Sequence, residues 1–175
     1  MFYDLLKTRR SIRKYQPGEI EPEKLETLKK AALLTPSSRG RRSWEFIFVT
    51  DRETLQKLSR CREGASGFLA GAALGIVVMG DQELSDVWTE DASIAAMTLH
   101  LAAHSLGLGS CWIQVRNRDH SAELKAGEYV KELLGVPEKF QMECILAVGY
   151  PAEEKPPCDE AGLSYGKVHK NRYGG

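Results

Sequence analysis

Apolar positions fall into blocks of different period along this chain. Within residues 21–34, Leu25, Leu28, Ala32 and Leu33 recur at helical spacing. Pro22 suits the first turn of that helix, and Pro36 lies just past its end. Residues 45–49 (Glu-Phe-Ile-Phe-Val) read as a strand, and Asp51 can cap a helix over 52–60. Residues 74–79 form a short, wholly apolar run, which predicts a buried strand. Residues 110–115 and 144–150 predict two more strands, and residues 123–134 a helix closed by Gly135 and Pro137. The block over 91–106 differs from the others. Ala92, Ile94, Ala95, Ala96, Met97, Leu99, Leu101, Ala102 and Ala103 leave almost no polar face. A helix apolar nearly all round is buried, and in so small a chain that predicts burial between subunits as well as within one. Gly107 can end it in the left-handed conformation.

The pattern is α+β: a few strands flanked by more helix, with no repeat, linker or low-complexity segment. At 175 residues the expectation is one domain over 1–175. Residues 151–175 are rich in Pro, Lys and Glu, and form an extended C-terminal tail over a surface. Twenty-four basic residues balance 24 acidic ones, which argues against nucleic-acid or anionic-membrane binding. No apolar run reaches the roughly 18 residues of a membrane span. Four cysteines without a CxxC pair give no disulfide framework, so the expected compartment is the cytoplasm. Cys111 and Cys144 fall in apolar strands and read as small core residues.

The chemistry concentrates in a few motifs. Arg9-Arg10-Ser11-Ile12-Arg13-Lys14-Tyr15 follows a short amphipathic segment, residues 2–6. Guanidinium forks and a hydroxyl suit a terminal phosphate. Taken alone, the stretch is as well explained by a solvated basic turn. The loop Pro36-Ser37-Ser38-Arg39-Gly40-Arg41-Arg42 offers hydroxyls and three guanidiniums, or an ordinary polar turn before a packed Trp44. Leu106-Gly107-Leu108-Gly109-Ser110 joins helix to strand, where glycines let backbone N–H groups approach a flat ligand. It follows a helix, so it is not a dinucleotide fingerprint. His100 and His104 share a helix face, but no Glu follows His100 as a zincin requires, and they read as a packed or interface pair. No metal site is expected. The acids Glu153, Glu154, Asp159 and Glu160 read as a solvated tail.

Taken in order, these segments resemble the FMN-dependent nitroreductase family. The match is carried by Arg-Arg-Ser-Ile-Arg-Lys-Tyr, Pro-Ser-Ser ahead of Trp-Glu-Phe-Ile-Phe-Val, Glu-Asp before the alanine-rich helix, Leu-Gly-Leu-Gly-Ser-Cys-Trp-Ile, and the closing Val-Gly-Tyr-Pro. The resemblance implies a nitroreductase-like fold: a central, mostly antiparallel sheet flanked by helices, in an intertwined homodimer with FMN at each interface. It implies that Arg9, Arg10, Ser11 and Arg13 hold the FMN phosphate. Ser37, Ser38 and Arg39 would come from the other subunit, Trp112, Ile113 and Gln114 would lie along the flavin, and Gly149 and Tyr150 near the phosphate end. The helix over 91–106 would form the dimer core. The sequence departs from the family where Gly40, Arg42 and Ser43 stand for the usual Asn, Gln and Pro, and where Gln114 replaces a common glycine. Three arginines in that loop suit an anionic substrate or the phosphate of NADPH. The arginine usual after Gly-Tyr-Pro is missing, with Lys155, Lys170 and Arg172 as substitutes.

The implied activity is an NAD(P)H-dependent flavin oxidoreductase that reduces nitroaromatic, quinone or related acceptors by a ping-pong mechanism. The chemistry is carried by FMN and no side chain is assigned as catalytic. Arg10 is a candidate for the positive group near N1 and O2 of the flavin. The rival readings are a non-catalytic flavin-binding or ligand-sensing protein on the same dimer, and a small dimer that binds a phosphate metabolite without flavin.

Overall fold

The computed structural model describes residues 1–175. Its elements are α1 (Phe2–Thr8), α2 (Pro22–Leu33), β1 (Trp44–Val49), α3 (Arg52–Leu58), β2 (Leu74–Asp81), α4 (Trp88–Ser105), β3 (Gly109–Gln114), α5 (Ala126–Leu134) and β4 (Phe140–Gly149). The strands form one antiparallel sheet in the order β1-β2-β4-β3. This is the α+β, antiparallel architecture that the sequence predicts.

Helices cover both faces of the sheet. One face carries Val77, Ile113, Ile145 and Ala147 against Leu55, Leu58 and Val130 of α3 and α5. The other carries Leu74, Ile76, Val78 and Leu146 against Leu28 of α2 and Ala92, Ala96 and Leu99 of α4. Strands covered on both sides have no polar face, which is why β2 is buried at every position and reads as an unbroken apolar run.

The starts of three elements shift by three residues or more. α4 begins at Trp88, because Gly80 leaves room for its indole: a Cβ on Gly80 would lie 2.8 Å from that ring. α5 begins at Ala126, since Ser121 Oγ accepts from Glu123 and Leu124 N–H and holds a turn instead. β4 reaches back to Phe140 through a bulge opposite Val78 and Met79. Other local expectations hold: Asp51 accepts from Thr54 N–H at 2.7 Å, and Gly107 and Gly135 adopt φ of 75° and 67°.

The tail has no strand and lies on its own chain's α1. Lys7 pairs with Glu160 at 2.9 Å, and Cys158 N–H donates to the Lys7 carbonyl. The tail acids are therefore not all solvated, contrary to expectation. Tyr3 also donates to Glu160, and Glu153 is taken up by backbone, as described below.

Candidate functional site

The arginine segment enters the fold as an extra strand-like bridge. Ser11 pairs with Ser110 at the edge of β3, and Ile12 N–H donates to the Ser110 carbonyl at 3.0 Å. Gly109 makes this close approach possible, since a Cβ there would lie 2.8 Å from Ile12. Tyr15 bridges to Pro151 and fills the space beside Gly149, where a Cβ would come within 3.0 Å of the ring. Two glycines thus let the arginine segment lie flat on the ends of β3 and β4.

The result is a cleft of about 300 Å³ at the C-terminal end of α4. Arg9, Arg10, His104, Gly107, Ser110 and Lys155 line it. None of Arg9, Arg10 and Arg13 pairs with a carboxylate. Arg10 donates to the Pro156 carbonyl, and Lys155 to the Ser11 carbonyl at 2.5 Å. Arg13 turns outward and lies over the Phe68 ring at 5.7 Å. Of the three cations offered for the missing arginine, Lys155 lies in the cleft, while Lys170 and Arg172 are exposed in the tail.

Acidic groups are also present. Glu153 Oε1 accepts from Arg13 N–H at 2.6 Å and Lys14 N–H at 3.3 Å. The Arg13 bond is the main reason that its carboxyl is held below the usual range, with Lys155 adding to the effect. Glu153 thus fixes the backbone of the arginine segment while the guanidiniums stay free.

Both histidines of α4 face this region. His100 Nδ1 lies 2.7 Å from Ser110 Oγ, and His104 Nε2 lies 2.8 Å from Thr8 Oγ1. Burial first, and then the charge of Arg9, lowers the pKa of His100 to about 4 and lowers that of His104. The neutral pair adds no charge to the cleft, and each ring is held by a hydroxyl of its own chain.

A second cluster sits at the opposite end of α4. Asp91, buried in the first turn, accepts from Ser38 N–H at 2.8 Å and Ser43 Oγ at 3.1 Å. Ser37 Oγ accepts from Arg42 N–H at 2.7 Å. These bonds hold Arg39 and Arg42 at φ of 51° each, a left-handed conformation that costs roughly 1–2 kcal/mol per residue. Ser37 and Ser38 border a cavity of about 350 Å³ with Asp91 and Ile94. Thirteen residues separate Asp91 from His104, so at 1.5 Å per residue the two clusters lie about 20 Å apart within one chain.

Along β3, Trp112 and Gln114 face α4 and Ile113 points the other way into the core. The Trp112 indole N–H donates to Gln114 Oε1 at 2.9 Å, and its ring stacks on His100 with centroids 6.4 Å apart. Tyr150 is placed away from the cleft. Its hydroxyl donates to Glu21 and accepts from Lys24, both at 2.5 Å.

Sequence reasoning missed Glu143. It is the extra residue of the β4 bulge, which turns its side chain toward Ser93 and Arg116, 3.3 and 3.9 Å away. Its Oε2 is buried without a hydrogen bond, and burial raises its pKa. The available signal was a lone charge inside the apolar run Met142-Glu143-Cys144-Ile145.

The chain matches the nitroreductase family model over residues 6–61 and 55–150. An FMN-dependent nitroreductase from Clostridium difficile R20291 superposes with a TM-score of 0.94 at 54% identity, covering 96% of this chain and 98% of that one. A protein of Archaeoglobus fulgidus, provisionally named an NADH dehydrogenase/NAD(P)H nitroreductase, is 40% identical over 155 residues, 86% of each chain. The NADPH-flavin oxidoreductase of Vibrio harveyi is 30% identical over 179 residues, 94% of this chain and 71% of its own. The chain belongs to the nitroreductase family.

Proposed function

We propose that this nitroreductase-family protein is an FMN-dependent oxidoreductase that uses NAD(P)H to reduce nitroaromatic, quinone or related acceptors. The observation that carries the reading is the pair of carboxylate-free guanidiniums, Arg9 and Arg10, in the cleft at the glycine-opened end of β3. The donor set fits the phosphate of FMN. Arg9 and Arg10 supply charge that no carboxylate neutralises, Ser11 supplies a hydroxyl, and Lys155 adds a cation that pairs with Glu153 at 3.5 Å. Gly109 and Gly149 keep this end flat.

The second cluster supports a homodimer. Ile94 and Met97 on α4 are 47% and 39% exposed, an apolar strip on a helix whose Ala92, Ala95, Ala96, Leu99 and Ala103 are core. Pairing two copies antiparallel along α4 buries that strip. It also carries Ser37, Ser38 and Arg39 of one copy across the 20 Å span to the arginine cleft of the other. Each site then draws on both chains.

When bound, FMN would supply two-electron redox chemistry between NAD(P)H and the acceptor, and donor and acceptor would use one pocket in turn by a ping-pong mechanism. The protein binds and orients. Arg9, Arg10 and Ser11 would hold the phosphate, the main chain of Trp112, Ile113 and Gln114 would contact the flavin, and His100 positions Ser110 and Trp112 on the same strand. No side chain is required to move a proton.

The test is a visible spectrum of the purified protein, followed by NADPH without oxygen. A flavin spectrum that bleaches supports the proposal. A flavin that stays oxidised would favour a binding or sensing role, and failure to take up added FMN would overturn the reading of the arginine segment.

A further inference from the structure

On the sheet face opposite α4, the turn after α3 encloses a cavity of about 540 Å³ that the foregoing does not use. Arg60, Arg62, Glu63, Phe68 and His120 form its wall. The turn is firmly held. Ser66 is fully buried, with Oγ 2.7 and 2.8 Å from the Ser59 and Arg62 carbonyls, and it accepts from Arg62 N–H at 3.0 Å. His120 Nδ1 lies 2.9 Å from the Arg60 carbonyl, and its ring stacks on Tyr129 with centroids 4.0 Å apart.

Three features point to an anion. Neither Arg60 nor Arg62 pairs with a carboxylate, and Glu63, the one acid on the wall, makes no ion pair either. The cavity abuts the C-terminal end of β3, because Arg62 donates to the Gln114 carbonyl at 3.2 Å. Arg13 closes over Phe68 from the arginine segment. The volume is too large for a lone carboxylate but lies within the range of small-molecule sites. Paired guanidiniums beside an aromatic wall match a pyrophosphate joined to a nucleoside.

We propose that this cavity holds the phosphate-bearing half of the pyridine nucleotide, with Arg60 and Arg62 on its phosphates. The inference rests on the NAD(P)H-using reading above. Arg62 then ties the nucleotide grip to Gln114, and Glu63 opposes the bound charge.

The test is an equilibrium titration of the oxidised, FMN-loaded protein with NADP⁺ and NAD⁺ at low salt, followed by flavin fluorescence. In Arg60→Gln the NADP⁺ dissociation constant should rise about tenfold, the loss of one charge-assisted contact. FMN content and melting temperature should stay at wild-type values. Glu63→Gln should shift affinity the other way, with NADP⁺ binding several-fold tighter, since a like charge is removed from beside the phosphates. Unchanged NADP⁺ affinity in Arg60→Gln overturns the inference, as does a shift seen only in the KM of an anionic acceptor. If NADPH still reduces the flavin normally, only this inference falls. If the wild-type protein neither binds NADP⁺ nor lets NADPH reduce its flavin, the underlying reading falls with it.

Discussion

Gly109→Ala tests the joint between the arginine segment and the sheet. The added Cβ would lie 2.8, 2.9 and 3.0 Å from Ile12 Cγ2, Cβ and Cγ1. Ordinary carbon contacts lie near 3.5–4.0 Å, so all three are severe. Rotating a side chain does not relieve them, because one of the three atoms is the branch point itself. Either Ile12 moves with its backbone, or β3 gives way. Ile12 is buried, and its N–H is bonded to Ser110, so both options break something. Overpacking of this kind costs about 1–3 kcal/mol, which in a chain of this size lowers the melting temperature by roughly 2–12 °C. The segment that moves carries Arg9 to Arg13, so FMN affinity should fall by about tenfold or more. Differential scanning fluorimetry and an FMN titration measure both. Gly135→Ala, at the end of α5 and outside the cleft, is the control: no atom lies within 4 Å of its added Cβ, and only the positive φ of 67° is penalised, at roughly 1–2 kcal/mol, with FMN affinity unchanged. Adding Ile12→Ala to Gly109→Ala should recover part of the loss, a non-additive pair. Wild-type stability and FMN affinity in Gly109→Ala, or strict additivity in the double variant, would refute the reasoning.

Asp91→Ala should cost about 2–4 kcal/mol in urea unfolding, because it strands the Ser38 N–H and the buried Ser43 hydroxyl, whereas Asp91→Asn should lose less. His100 has a folded pKa lowered from 6.5 to about 4, so the unfolded chain binds the extra proton between these values. Its contribution is complete above pH 6.5 and is lost as pH falls toward 4, up to about 3 kcal/mol. His104 adds in the same direction. His100→Gln should therefore flatten the fall in urea midpoint between pH 7 and 5, and an equally steep fall in the variant would refute the assignment. Met97→Asp places a charge in the exposed apolar strip of α4 and should convert a dimer to a monomer in light scattering, with loss of bound FMN. A dimer that persists would remove α4 from the interface.

Much of the architecture was legible in residue order. The unbroken apolar run of β2, the alanine-rich α4 and the glycine at its end are local signals, because period, burial and left-handed backbone are properties of neighbouring residues. The arginine segment was legible as phosphate chemistry for the same reason. Its exact surroundings were not. Glu153 stands 140 residues from Arg13, and nothing in a Pro- and Glu-rich tail shows that one carboxylate will hold that backbone. Tyr150 shares its motif with Gly149, yet Glu21 and Lys24 from α2 draw its hydroxyl away. Glu143 gains its direction from a bulge, which exists only in the register between β2 and β4. Composition and spacing thus determined which elements form and which chemistry is available. Long-range packing decided which charges remain free, because a guanidinium is a site only where no distant carboxylate reaches it.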